Sequence, residues 1–195
     1  MLASITPLGE RGRHSRWAVT VGAFLLGATA AGAAAGAMLG ALGALVLPSG
    51  HAEMRLGVLA AALAVAIALD LAPRAVPGPR RQVDERWLDE FRGWVYGLGY
   101  GAQLGLGVTT IVSSAATYAA FLAALEAGGA LAGAVVLGCF GAVRGLTPLV
   151  AAGVRAPDQL LALHRGVARW RTPARWVTVA GQAGVFVLAL TLALE

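Results

Sequence analysis

Five long apolar runs dominate this chain, and they limit what it can fold into more than any other feature. They are Trp17 to Leu47, Leu56 to Leu71, Trp94 to Leu125, Ala130 to Val154 and Trp176 to Leu194. A membrane-crossing helix needs about 20 mostly apolar residues. The first run also exceeds the roughly 7–15-residue apolar core of a signal peptide. With 58% apolar and 13% charged residues and a mean hydropathy of +0.73, the chain falls outside the usual balance of a soluble enzyme. The sequence predicts an all-α, polytopic membrane helix bundle forming a single integral-membrane domain over residues 1–195. About five transmembrane helices are expected, near 17–47, 56–72, 94–125, 130–154 and 176–194.

Arginine placement gives the predicted orientation. All fifteen basic residues are Arg. Arg11, Arg13 and Arg16 precede the first run. Arg74, Arg80, Arg81, Arg86 and Arg92 lie between the second and third, and Arg155, Arg165, Arg169, Arg171 and Arg175 lie between the fourth and fifth. With five crossings these segments share one side, and only Arg55 lies on the other. Short cytoplasmic loops accumulate Arg and Lys, so the N-terminus is expected inside and the C-terminus outside. Trp17, Trp87, Trp94, Trp170 and Trp176 fall at the same ends of the runs, where indole favours the headgroup layer. This clustering lacks the continuous basic stripe of a nucleic-acid binder. The lipid bilayer is the expected partner, in a bacterial plasma (inner) membrane, with no nucleic acid.

Both arginine-rich loops have the pattern of interfacial amphipathic helices on the cytoplasmic side. Val83, Trp87, Phe91 and Trp94 recur at helical spacing, with Asp84, Glu85, Asp89 and Glu90 off that stripe. In the second loop Pro157 and Asp158 suit a helix start, and Leu160, Leu163, Val167 and Trp170 mark one face. Such helices serve as anchors or as docking surfaces for a membrane or cytoplasmic protein partner or a second copy. Glycines four apart, Gly32, Gly36 and Gly40 on the first run and Gly97, Gly101 and Gly105 on the third, predict close packing of those two spans.

The third run carries most of the polar side chains. Thr109, Ser113 and Thr117 are four apart, Thr110 and Ser114 lie beside them, and Gln103 precedes them. The run is longer than a straight crossing needs, and glycines precede the hydroxyls, which predicts a bent or locally unwound helix. These residues either bond between helices or line a substrate or ion path. On the fourth run Arg144 precedes Pro148, which interrupts the helix. Arg144 is either an internal charge, with Asp70 and Glu126 as the candidate carboxylate partners, or a side chain reaching the headgroups. His14, His51 and His164 are isolated, and no metal site or cofactor is expected.

Two segments resemble one half of the DsbD/CcdA-type transmembrane electron carriers, a group that includes LysE-like exporters. They are Gly105-Leu-Gly-Val-Thr109-Thr110-Ile-Val-Ser113 and Phe140-Gly-Ala-Val-Arg144-Gly-Leu-Thr-Pro148. The resemblance implies a scaffold of inverted three-helix repeats, in which the first two runs are what remains of a repeat without its lead helix. Thr110 stands where that family carries a redox cysteine. Cys139 is a lone thiol and cannot cycle to an intramolecular disulfide, so the scaffold alone is implied and not the redox activity. Two functions stay open. One is a small transporter or exporter-like protein using Gln103, Thr109, Thr110, Ser113, Ser114, Thr117 and Arg144. The other is a non-catalytic membrane component that anchors or scaffolds a partner complex. No nucleophile–base set or carboxylate pair points to an enzyme.

Overall fold

The computed structural model describes residues 5–47, 50–72, 76–78, 86–107, 109 and 112–194. Among them every regular element is helical: α1 (Pro7–Gly12), α2 (Trp17–Val46), α3 (Ala52–Leu71), α4 (Trp87–Glu90), α5 (Gly93–Gly105), α6 (Ala116–Glu126), α7 (Ala130–Gly145), a 3₁₀ turn (Thr147–Ala151) and α8 (Pro157–Leu194). Four stretches are long and apolar enough to cross a membrane: α2, α3, α8, and α7 taken together with the 3₁₀ turn. Their outward side chains are apolar, as at Leu45, Leu131 and Leu194, each at least 80% exposed. The most deeply buried side chains include Glu10, Thr6 and Thr20. An apolar exterior with polar groups inside suits a lipid surround.

The chain divides into two compact units. The first comprises Met1–Gly32, Arg81–Thr110 and Gly138–Arg171. Here α5 runs parallel to the start of α2. A Cβ on Gly97, Gly101 or Gly105 would fall 2.5, 2.0 and 2.1 Å from the carbonyl oxygens of Thr20, Phe24 and Ala28. Each step of four residues on one helix matches a step of four on the other, so the contact is backbone on backbone. Phe24, Val21, Tyr96, Tyr100 and Ile5 form the core beside it, and Trp87 stacks on Tyr100 at 5.8 Å.

The second unit comprises Ala33–Arg80, Ile111–Leu137 and Thr172–Glu195. Gly36 and Gly40 meet the backbone of Gly133 and Gly129 at the start of α7, and Gly43 meets the Leu125 carbonyl. The glycine run on α2 therefore packs on α7, whereas the run on α5 packs on α2. The expected close packing of the first and third runs is present, made by the α5 glycines on the start of α2, while the α2 glycines themselves pack on α7. In the same unit α3 lies antiparallel to α6, with Arg55 at the Glu126 end and Asp70 at the Ala115 end. Leu63, Ala66, Ala115 and Ala119 form its core, with Leu59 and Phe186 against them.

Three sequence expectations about helix ends are refined. The third run is two helices, α5 and α6, and Gly107 between them adopts φ +70°. That left-handed conformation is cheap only without a Cβ. The Pro157–Trp170 segment is not a separate interfacial helix. It continues into the fifth run as one 38-residue helix with Pro173 inside it. The first amphipathic stripe is broken because Phe91, at φ −119° and ψ 159°, ends α4. Val83, Asp84 and Glu85 of that stripe lie outside the described residues.

Candidate functional site: a buried carboxylate at a helix break

Asp70 is the penultimate residue of α3 and is only 9% exposed. Its carboxylate accepts three hydrogen bonds: Ser114 Oγ donates to Oδ2 at 2.6 Å, Gln182 Nε2 to Oδ2 at 2.6 Å, and the Ala115 N–H to Oδ1 at 2.8 Å. Ala115 is the N-cap of α6, so Asp70 supplies from another helix the acceptor that the start of α6 lacks. Its negative charge also faces the positive end of the α6 dipole. Ser114 Oγ in turn accepts from the Ala116 N–H at 3.1 Å.

Among the described residues no cation completes this set, since the one ion pair there is Arg13 with Glu10. Three hydrogen bonds to a charged group, each about 1.5–3 kcal/mol, balance a desolvation cost of several kcal/mol. The Gln182 Oε1 atom is buried without a partner among the described residues. Gln182 lies six residues from Trp176 and twelve from Leu194 in α8. At 1.5 Å per residue it is about 9 Å and 18 Å from the two ends of the last apolar run. Asp70, though one residue from the end of α3, thus bonds to a residue about 9 Å inside the last apolar run.

The residues singled out in the third and fourth runs are divided between the two units. Ser114 alone of them bonds to Asp70. Thr117 is buried in the first turn of α6, and Ser113 is exposed. Gln103 is half-buried in α5, and its carbonyl accepts from the hydroxyl of exposed Thr109. Thr110 lies outside the described residues. Arg144 is half-buried at the end of α7, its guanidinium 5.3 Å from the centre of the Phe140 ring. The carbonyl that Pro148 leaves without a donor is Arg144's own, because residue 148 has no N–H to give it. The Thr147 hydroxyl donates to that carbonyl, and buried Pro148 opens the 3₁₀ turn.

Asp70 enters the sequence reading only as a partner for Arg144, and Gln182 not at all. Their signal is a lone carboxylate and a lone amide in otherwise apolar runs. A second buried carboxylate, Glu10, is fully enclosed in the first unit. It accepts from Arg13 Nη2 at 2.8 Å, from Thr20 Oγ1 at 2.7 Å and from the Tyr96 hydroxyl. Burial works against the Arg13 charge, but hydrogen bonding to Glu10 and Tyr96 outweighs it and raises its pKa. Comparison with known proteins adds no relative: no family model, curated protein or solved structure matches the chain.

Proposed function

We propose that this chain is a small polytopic transporter or exporter-like protein whose working site is the Asp70–Ser114–Gln182 cluster. It has five crossings, with Trp94–Leu125 as the third, the arginine-rich side in the cytoplasm, and its place in a bacterial inner membrane. The observation that carries this reading is a buried carboxylate with no cationic partner among the described residues, set against the start of a half-length helix in an apolar run. Ionisable groups at such depth are expensive, and membrane proteins keep them chiefly along substrate and ion pathways. Discontinuous helices whose N-termini face the site are the usual framework of such pathways. The DsbD/CcdA-like scaffold is compatible with this use without redox cysteines.

Reconstituted vesicles test the proposal. Uptake of candidate cations, protons and amphipathic solutes is compared for the parent, Asp70→Asn and Gln182→Leu, with insertion checked by protease protection. The proposal expects a solute whose flux needs the parent protein and falls at least about tenfold in Asp70→Asn, the scale of one lost charge-assisted bond. Asn keeps the acceptor oxygen that caps α6, so a purely capping role would leave flux at the parental level. Parental flux in both variants would favour the anchoring or scaffolding role instead.

A further inference from the structure

In the first unit a cleft of about 650 Å³ opens between the segment entering α2 and the segment joining α4 to α5. Arg16 and Arg92 line it together with Asp89 and Glu90. All four are exposed, and none pairs with another, because the one ion pair among the described residues is Arg13 with Glu10. Opposite charges that share a cleft without meeting leave room for a ligand that answers both. The Arg13 guanidinium at the cleft wall is already committed to Glu10. Around the charges lie the rings of Phe91 and Trp94, 46% and 52% exposed.

Beside Arg92 the cleft wall includes the start of α5. Arg92 is the N-cap of the thirteen-residue α5, and Gly93 and Trp94, the first two residues of that helix, also line the cleft. Gly93 lets this turn approach closely: a Cβ there would fall 2.6 Å from Thr20 Oγ1 and 3.1 Å from Ser15 Oγ. Guanidinium binds phosphate through paired hydrogen bonds, and carboxylates bind a primary ammonium in the same charge-assisted way. Tryptophan at this position suits the layer where headgroup and acyl chain meet.

We propose that this cleft binds the headgroup of a zwitterionic phospholipid bearing a primary ammonium, with phosphate on Arg16 and Arg92 and ammonium on Asp89 and Glu90. The site is independent of Asp70 and of whether the chain transports anything. A purely anionic headgroup is opposed by the two carboxylates. A quaternary ammonium cannot donate hydrogen bonds to them.

The test uses the purified full chain in detergent, with lipid retention measured by native mass spectrometry and stability by thermal unfolding. Phosphatidylethanolamine, phosphatidylcholine and phosphatidylglycerol are compared, with free phosphoethanolamine as a competitor. The parent is expected to retain phosphatidylethanolamine about tenfold better than either other lipid. R16Q/R92Q should weaken binding of phosphatidylethanolamine and phosphatidylglycerol alike. D89N/E90Q should erase the preference over phosphatidylcholine and strengthen phosphatidylglycerol, an opposite change that loss of packing would not produce. Full displacement by free phosphoethanolamine at equal concentration would reassign the ligand to a soluble zwitterion and overturn the lipid source. Equal retention of the three lipids by the parent would overturn the site, and that measurement decides the matter even if a variant fails to fold.

Discussion

Gly101→Ala adds one methyl group at the tightest point between α2 and α5. That methyl would lie 2.0 Å from the Phe24 carbonyl oxygen, 2.8 Å from its carbon and 2.9 Å from its Cα, all backbone atoms that cannot rotate away. Ordinary contact begins near 3.4 Å, so the helices must separate locally by about 1.4 Å. Separation also loosens Gly97 and Gly105, one register step away on either side, and the packing of Phe24 against Tyr96 and Tyr100. Overpacking of this kind costs about 1–3 kcal/mol, whereas Ala in place of Gly gains up to about 1 kcal/mol of helix propensity. The strain wins, and a net loss of about 1–2 kcal/mol is expected. At roughly 2–4 °C per kcal/mol for a chain of this size, the Tm should fall by about 2–8 °C. Gly166 in α8, where a Cβ meets nothing within 4 Å, is the control: Gly166→Ala should match or exceed the parent. Thermal unfolding in detergent, followed by far-UV circular dichroism, reads both. A Gly101→Ala protein as stable as the Gly166→Ala protein would refute backbone contact between α2 and α5.

Glu10→Ala leaves the Arg13 guanidinium and the Thr20 and Tyr96 hydroxyls without their shared acceptor, and unfolding should show a loss of about 3 kcal/mol. A loss below about 1 kcal/mol would mean that water replaces the carboxylate. Thr147→Val strands the Arg144 carbonyl at a cost of about 1 kcal/mol, and Pro148→Ala in that background should restore it by returning an N–H; additive effects of the two changes would contradict this account. Cys139→Ser should leave insertion and stability unchanged. In that background a cysteine at position 50 should react with an impermeant maleimide from outside only, and one at position 164 from inside only. The reverse pattern would invert the proposed topology.

The apolar runs and their glycines were legible because helix length and close approach are written in local spacing. Gly97, Gly101 and Gly105 announce a contact with the first run, which α5 makes, but nothing in the period of Gly36 and Gly40 names α7 as their partner. Pro157 and Asp158 mark a helix start on either reading of α8. Whether that helix stops before Pro173 depends on surroundings the local sequence does not contain, because one missing N–H can be tolerated inside a long helix. The break after Gly105 was foreshadowed by the glycines and hydroxyls around it. The acceptor at the far side of that break, Asp70, lies 44 residues from Ser114, and Gln182 lies 112 residues from Asp70, separations that no pattern along the chain can bridge.

Glu10 and Asp70, the two buried carboxylates among the described residues, differ in how their charge is met. Glu10 is held by a guanidinium and two hydroxyls, so its charge is matched and its removal should be felt as lost stability. Asp70 accepts a comparable number of hydrogen bonds, and among the described residues all its donors are neutral, so they solvate its negative charge without neutralising it. A buried charge in that state gains most from a cation that approaches it, because attraction in a low dielectric is weakly screened. The neighbouring Gln182 Oε1, without a partner among the described residues, is the acceptor that such a cation would find beside the carboxylate. Asp70→Asn should therefore leave stability near that of the parent, since the α6 cap survives, and, on the proposed function, lower the flux. The same substitution at Glu10 should do the opposite, because there the missing charge is the one Arg13 needs.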